Sequence, residues 1–363
     1  VEDDTFPYET GNQIWGSAAS ADMDGDGLID FVITSKSKHL YIFDQNGLKT
    51  DYNANKYLMG TPAIGNLDGD ADLEVVVGGY SSPSSSNQIF AVNLDGSDVD
   101  GFPFVLGEKI KAGVALADFD GNGIDDIVVG TDSDYIHLIY DDGSEAPGFP
   151  YEVGDKIQSA PSILDVNGQK VIFVGCNDDN FYAVNSDGSL RFSVTTTNKV
   201  FNSAAFLDYD GSFYIFFSDD SGILYAVDTD GNSLSGWPVD SGAAISKSVA
   251  FADLDSDGLV EIIAATESGD VQAFNLDGTR MFIVGSNSDF VNEYTLTTGF
   301  DITTATYAGD DERFFVQNEE TQPMDIDFNG DGSRMYIVGW AGADITEYTL
   351  TTPFDVSTAV AGN

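Results

Sequence analysis

Oxygen-bearing side chains recur along this chain at a spacing that suits a hard cation. The phrase reads ADMDGDGLIDFVIT at 21–34, GNLDGDADLEVVVG at 65–78, ADFDGNGIDDIVVG at 117–130 and ADLDSDGLVEIIAA at 252–265. Each copy sets oxygens at positions 1, 3, 5 and 9 of a nine-residue loop, and an apolar, β-branched run follows at once. Ca²⁺ takes about six to eight oxygens at about 2.3–2.6 Å, and alternate residues of a tight loop can supply them. Glycine at position 4 or 6 lets the chain curl around the ion. The first loop offers Asp22, Asp24, Asp26 and Asp30 with the carbonyl of Leu28, and the second Asn66, Asp68, Asp70 and Glu74 with the carbonyl of Asp72. The third offers Asp118, Asp120, Asn122 and Asp126 with the carbonyl of Ile124, and the fourth Asp253, Asp255, Asp257 and Glu261 with that of Leu259. Asp and Gly also build plain turns, but a plain turn needs no acid inside the following strand. The expected cofactor is Ca²⁺, about four ions on this ligand logic. Two shorter copies, LDVNGQKVIFVG at 164–175 and LDYDGSFYIFFS at 207–218, keep Asp165 and Asp208 but lack the ninth-position acid. They are expected to be hairpin turns without metal.

The elements that must carry these loops follow from their period. The first ligands, Asp22, Asn66, Asp118, Asp165, Asp208 and Asp253, are 44, 52, 47, 43 and 45 residues apart. A period in this range marks propellers and solenoids. Helical periodicity is absent, and short runs rich in Val, Ile, Phe and Tyr read as strands. In the first unit SAASAD, LIDFVIT and HLYIFD are strands a, b and c, and a more polar strand d follows the turn QNG. Four antiparallel strands per repeat is the blade of a β-propeller. The predicted fold is therefore all-β, a β-propeller of four-stranded antiparallel blades. Turn markers predict seven blades, with extra residues in the sixth; six or eight are the alternatives. TFPYETGNQIWG at 5–16 copies GFPYEVGDKIQS at 148–159, so residues 1–15 read as an orphan outer strand that closes the ring.

From residue 279 the grammar changes. TRMFIVGSNSDFVNEYTLTTGFDITTAT at 279–306 is copied by SRMYIVGWAGADITEYTLTTPFDVSTAV at 333–360. The domain reading is thus 1–278 for the calcium-type blades and 279–363 for two divergent repeats of the same ring. The segment 270–278 fits either grammar, as strand c of the first or strand a of the second. Asp327, Asn329 and Asp331 make only a partial loop.

The chain has 363 residues and a formal net charge of −47, from 61 acidic and 14 basic residues. Such a surface repels nucleic acid and anionic membrane, since both interactions depend on Lys and Arg. It suits a saline medium that screens self-repulsion. The lone Cys176 makes no internal disulfide and reads as a small buried side chain. No apolar run is long enough for a membrane-spanning helix. No signal peptide is read, and the chain opens at Val1 as a processed chain does. The loops' expected affinity suits extracellular calcium.

The phrase D-x-D-x-D-G-x-x-D-[ILVF]-V-[IV] resembles the FG-GAP (VCBS-type) repeat of integrin α-subunit propellers and many secreted bacterial proteins. The likeness covers about residues 5–278 and is carried by the four intact loops. It implies calcium in the a–b loops of one face, with ligands bound on the opposite face or in the central channel. The tail resembles a second propeller repeat of secreted microbial proteins.

Blade alignment puts Trp15, Met59, Lys111, Gln158, Phe201 and Ser246 at equivalent positions where the d–a loop enters strand a. This chemically mixed set is the candidate ligand surface. The b–c loops lie at the same end, where Tyr80, Tyr135 and Trp340 offer aromatic platforms. The histidines, His39 and His137, fall at non-equivalent places, and no P-loop, Rossmann glycine pattern, HExxH or nucleophile elbow is present. The expected function is a non-catalytic, secreted or surface-bound recognition or adhesion module for a glycan or an extracellular protein. The alternatives are a calcium-dependent polysaccharide lyase, which so few basic residues disfavour, and a self-assembling subunit of a surface layer or fibre.

Overall fold

The computed structural model describes residues 8–209, 211–234, 236–245, 247–254 and 260–276, and beyond them the segments 280–284, 290–296, 305–307, 313–315, 323–328, 334–339, 345–351 and 359–361. Among these, one 3-10 turn at Ser84–Ser86 is the only helical element. Two compact units, 1–204 and 205–363, divide the chain and are described separately.

The first unit is four antiparallel sheets taken in chain order. Strands a to d of the first sheet are Ala19–Ala21, Asp30–Thr34, His39–Asp44 and Gly47–Asn53. Those of the second are Ala63–Gly65, Glu74–Tyr80, Gln88–Val92 and Phe104–Val105, with Tyr57–Leu58 also pairing on strand b. The third comprises Ala115–Ala117, Asp126–Gly130, Tyr135–Ile139 and Tyr151–Glu152, and the fourth Ser162–Val166, Gln169–Gly175, Asn180–Asn185 and Leu190–Thr195. Strands a and b of the first sheet are shorter than their apolar runs, because the curl from Asp22 to Ile29 takes residues from both.

Every residue of Asp126–Gly130 is buried. A strand covered on both faces reads as an unbroken apolar run, and the core clusters show what covers it. Val32, Leu40 and Ile42 of the first sheet pack with Val75, Val77 and Phe90 of the second. Val76 and Ile89 of the second pack the other way, with Ile127 and Val129 of the third. Val128 and Leu138 then meet Ile172 and Val184 of the fourth. Alternate residues of each strand thus serve two neighbouring cores, each buried aliphatic side chain contributing about 1.5–3 kcal/mol. Bare Cα atoms bring the exit loops in close. A Cβ on Gly78, Gly130 or Gly175 would lie 2.2, 2.2 or 2.3 Å from Ile110, Ile157 or Val200.

The segment from Tyr8 sits against the first sheet as the third sheet's exit sits against the fourth. Tyr8 meets Tyr41 edge-on at 5.4 Å, as Tyr151 meets Tyr182 at 6.3 Å. The Lys36 amide donates to the Gln13 carbonyl, as Asn177 does to Lys156. The expected closing strand includes residues 1–7, which lie outside the described residues.

In the second unit, the fifth sheet is Ala205–Tyr209, Ser212–Ser218, Ile223–Asp228 and Val239–Asp240. The sixth runs Ala250–Ala252, Glu261–Ala265, Val271–Asn275, Arg280–Val284, Phe290–Leu296 and Ala305–Tyr307, with Arg313–Phe315 also on Phe290–Leu296. The seventh is Pro323–Phe328, Arg334–Gly339, Ile345–Leu350 and Ala359–Ala361. The two grammars meet inside the sixth sheet. Phe274 pairs with Met281 and Met281 with Tyr294; Phe328 pairs with Met335 and Met335 with Tyr348 in the same way. Val271–Asn275 is therefore both the third strand of the first grammar and the first of the second. The extra residues expected in the sixth blade are extra strands, and the described residues form seven sheets.

Candidate metal centres and the opposite loops

All four intact loops hang from one register. The residue before the first ligand pairs with the ninth-position acid as Ala21 with Asp30, Gly65 with Glu74, Ala117 with Asp126 and Ala252 with Glu261. These acids are buried, at 3, 1, 0 and 0 % exposure. Each accepts the amide of the second loop residue: Met23 to Asp30 at 3.2 Å, Leu67 to Glu74 at 2.6 Å, Phe119 to Asp126 at 2.7 Å and Leu254 to Glu261 at 2.6 Å. Asp24 and Asp26 each accept an amide two residues on, and so do Asp68 and Asp70, and Asp120 and Asn122. One oxygen of each of these side chains shapes the loop.

Carboxylate oxygens of Asp22, Asp24 and Asp26 lie within 4.8 Å of one another, as do those of Asp68, Asp70 and Glu74, and of Asp118, Asp120 and Asp126. Burial raises the pKa of Asp30, that of Glu74 to about 7 and that of Asp126 to about 6, against the opposing backbone hydrogen bonds. Neighbouring loop acids push in the same direction. Asp22 Oδ1 is buried with no hydrogen-bond partner. An orphaned oxygen in an all-oxygen donor set fits a hard divalent cation. In the fourth loop Asp253 and Glu261 keep their places, while Asp255, Asp257 and Leu259 lie outside the described residues. The two short copies are tight hairpins, their ladders running on to Val166–Gln169 and Tyr209–Ser212.

Adjacent loops are tied together. The Leu73 amide donates to the Met23 carbonyl at 2.8 Å, and the Asp125 amide to the Asn66 carbonyl at 2.7 Å. Between the first two loops lies a groove of about 670 Å³ lined by Asp24, Asp68, Asp70, Asp72 and Asp95, with Lys49 reaching Asp24 at 3.1 Å. This ammonium holds Asp24 below the usual carboxylate range. Lys49→Gln removes a positive charge beside the loop, so the first site is expected to bind calcium about two- to fivefold more tightly, the size of an exposed ion pair. Calorimetric titration of the variant checks this; weaker binding would show that Lys49 props the loop open.

At the other end of the sheets, four of the aligned d–a residues, Trp15, Met59, Lys111 and Gln158, meet residues at the b–c connections. Trp15, 58 % exposed, has the Lys36 ammonium 5.1 Å above its ring. The Tyr80 hydroxyl donates to Met59 Sδ at 2.8 Å. Lys111 pairs with Asp132 at 2.6 Å, and Gln158 donates to Asp132 at 3.4 Å. Phe201 is half-buried, and Tyr135 lies edge-on to His137 at 6.1 Å. Ser246 and Trp340 lie outside the described residues. Sequence reasoning missed the distribution of lysine. Seven of the ten Lys and Arg between residues 1 and 204 (Lys36, Lys38, Lys56, Lys109, Lys111, Lys156 and Lys199) sit in d–a or b–c loops, away from the carboxylate loops. The signal was in the alignment, had charge been counted loop by loop.

Cys176 is buried, its thiol pushed up to about 12 by that burial. His39 pairs with Asp51. His137 is buried on the third sheet, with Nδ1 3.1 Å from Glu145. Its Nε2 lies 3.5 Å from Glu108 of the second sheet's exit loop, an ionic contact rather than a hydrogen bond. Burial alone would lower its pKa, but the two carboxylates win and raise it to about 9. A folded pKa above the unfolded value means that the stabilisation is complete below about pH 6.5 and is lost as pH rises through about 9. His137→Gln is expected to cost roughly 1–3 kcal/mol near pH 6 and much less above pH 10. Urea unfolding across that range is the check, and a cost independent of pH would refute the charged pair.

No family model matches this chain, and no curated protein matches it significantly. Solved structures do. BamB from Moraxella catarrhalis superposes with a TM-score of 0.52 at 16 % identity, over 92 % of this chain and 97 % of that one. BBS1N, solved in complex with ARL6DN, gives 0.51 at 13 % identity, over 96 % and 91 %. Both are β-propellers. This chain has the β-propeller fold. Its sheets are the propeller's blades, with the carboxylate loops joining strands a and b.

Proposed function

We propose that this chain is a calcium-loaded propeller of the FG-GAP type, working outside the cell in a saline medium as a non-catalytic recognition module. One observation carries the calcium reading: the same loop recurs on separate blades, with a buried ninth acid, clustered carboxylates and, in the first, an orphaned Asp22 oxygen. The ion takes the place of disulfides as the staple of the loop ends. Recognition of a glycan or an extracellular protein falls to the d–a and b–c loops, where loop residues on a rigid scaffold are free to specialise. The complex of BBS1N with ARL6DN is a precedent for a propeller that binds another protein; fold alone does not transfer that role.

The test is a glycan-array and pull-down screen with calcium present, repeated on Trp15→Ala with Phe201→Ala. Loss of a detected partner in the double variant supports the face. Unchanged binding contradicts it, and a rise in unsaturated-uronate absorbance on an acidic polysaccharide replaces the module with a lyase.

A further inference from the structure

The opposite end of the first two blades is electrostatically unlike the rest of the molecule. Its loops, residues 10–18, 35–38, 54–62 and 81–87, hold Lys36, Lys38 and Lys56 and no Asp or Glu, in a chain of net charge −47. Two other lysines meet carboxylates, Lys49 at Asp24 and Lys111 at Asp132. These three meet neutral groups among the described residues. Lys36 is 3.4 Å from Gln13 Oε1 and Lys38 is 3.5 Å from Asn55 Oδ1. Lys56 is 3.1 and 2.7 Å from the hydroxyls of Ser81 and Ser86. The nearby Asp51 is taken by His39.

Two of these ammonium groups lie over exposed rings, Lys36 over Trp15 at 5.1 Å and Lys38 over Tyr57 at 5.5 Å. Trp15 is 58 % exposed and Tyr57 37 %. Flat aromatic surfaces left in water, with amides and hydroxyls beside them, match a ligand that is itself flat, apolar on one face and rich in hydroxyls. Cations without carboxylate partners match a ligand that brings its own anions. The chain's overall negative charge does not cancel this patch, because screening confines each field to about 8 Å at physiological ionic strength.

Resting on the recognition reading above, we propose that this sector binds an anionic saccharide chain, carrying carboxylate or sulfate groups. Trp15 and Tyr57 stack on sugar faces, and Lys36 and Lys38 swing from the rings to the anions. Lys56, tied to the serine loop, holds the 81–87 segment at the edge of the site.

The test measures binding of the full chain, with calcium, to alginate, dextran sulfate, neutral dextran and polyglutamate by biolayer interferometry. The expected result is binding to alginate or dextran sulfate, weakened by salt and absent with neutral dextran. Lys36→Gln with Lys38→Gln is expected to reduce it about tenfold, the effect of two exposed ion pairs, and Trp15→Ala to reduce it further. Lys170→Gln, outside these loops, leaves it unchanged. Binding indifferent to the lysine pair overturns the proposal, as does binding to polyglutamate as tight as to the polysaccharides. Failure to bind either polysaccharide, while Trp15→Ala abolishes capture of a protein partner, overturns the saccharide and leaves the face standing. Saccharide binding that survives both Trp15→Ala and Phe201→Ala overturns the face itself.

Discussion

Stripping calcium with a chelator is expected to lower the melting temperature by ~10 °C or more. Each site filled at about a hundredfold over its Kd contributes about 2.7 kcal/mol, because the ion binds the folded loop and not the open chain. Three described loops bring their carboxylates together, and about 1 kcal/mol moves the midpoint of a unit this size by about 2–4 °C. The loss is electrostatic as well as entropic. Without the ion, Glu74 and Asp126 are buried acids whose pKa values climb to about 7 and about 6, beside other carboxylates. Differential scanning calorimetry in millimolar calcium and then in chelator reads the difference. Magnesium is expected to restore less, since it demands a smaller octahedral shell and sheds water reluctantly. An unchanged midpoint in chelator would mean that the loops are self-sufficient turns.

Gly130→Ala is expected to destabilise the first unit by about 1–3 kcal/mol through overpacking. The added Cβ would stand 2.2 Å from Ile157 Cγ2, and Ile157 is fully buried. Ile157→Ala alone opens a cavity and is expected to cost about 2–5 kcal/mol. In the double variant the new methyl fills part of that cavity, so the combined loss falls below the sum. Urea unfolding of the four proteins measures the coupling. Strict additivity would show that the loop carrying Ile157 does not press on the end of strand b.

Much of this architecture is legible in the sequence. The a–b loops are local, so the residues that make them are contiguous and their spacing reports their geometry directly. Strands b and c were readable because burial on both faces leaves an unbroken apolar run, as in Asp126–Gly130. What escaped was non-local. Val271–Asn275 fitted two repeat grammars, and only pairing on both sides, with Glu261–Ala265 and with Arg280–Val284, shows that it serves both. The lysine-rich end was hidden by a net charge summed over the whole chain, because its loops come from two blades and are distant in sequence. The pairing of Met59 with Tyr80 and of Lys111 with Asp132 likewise depends on which loops fold against each other. The partly buried state of that candidate face could not be read from spacing.

Calorimetric titration of the metal-free protein with calcium decides whether the carboxylate loops hold the ion. At least three sites are expected, with one lost in Asp24→Asn plus Asp26→Asn, one in Asp68→Asn plus Asp70→Asn, and one in Asp118→Asn plus Asp120→Asn. Absence of binding heat, or an unchanged number of sites after all six substitutions, would contradict it.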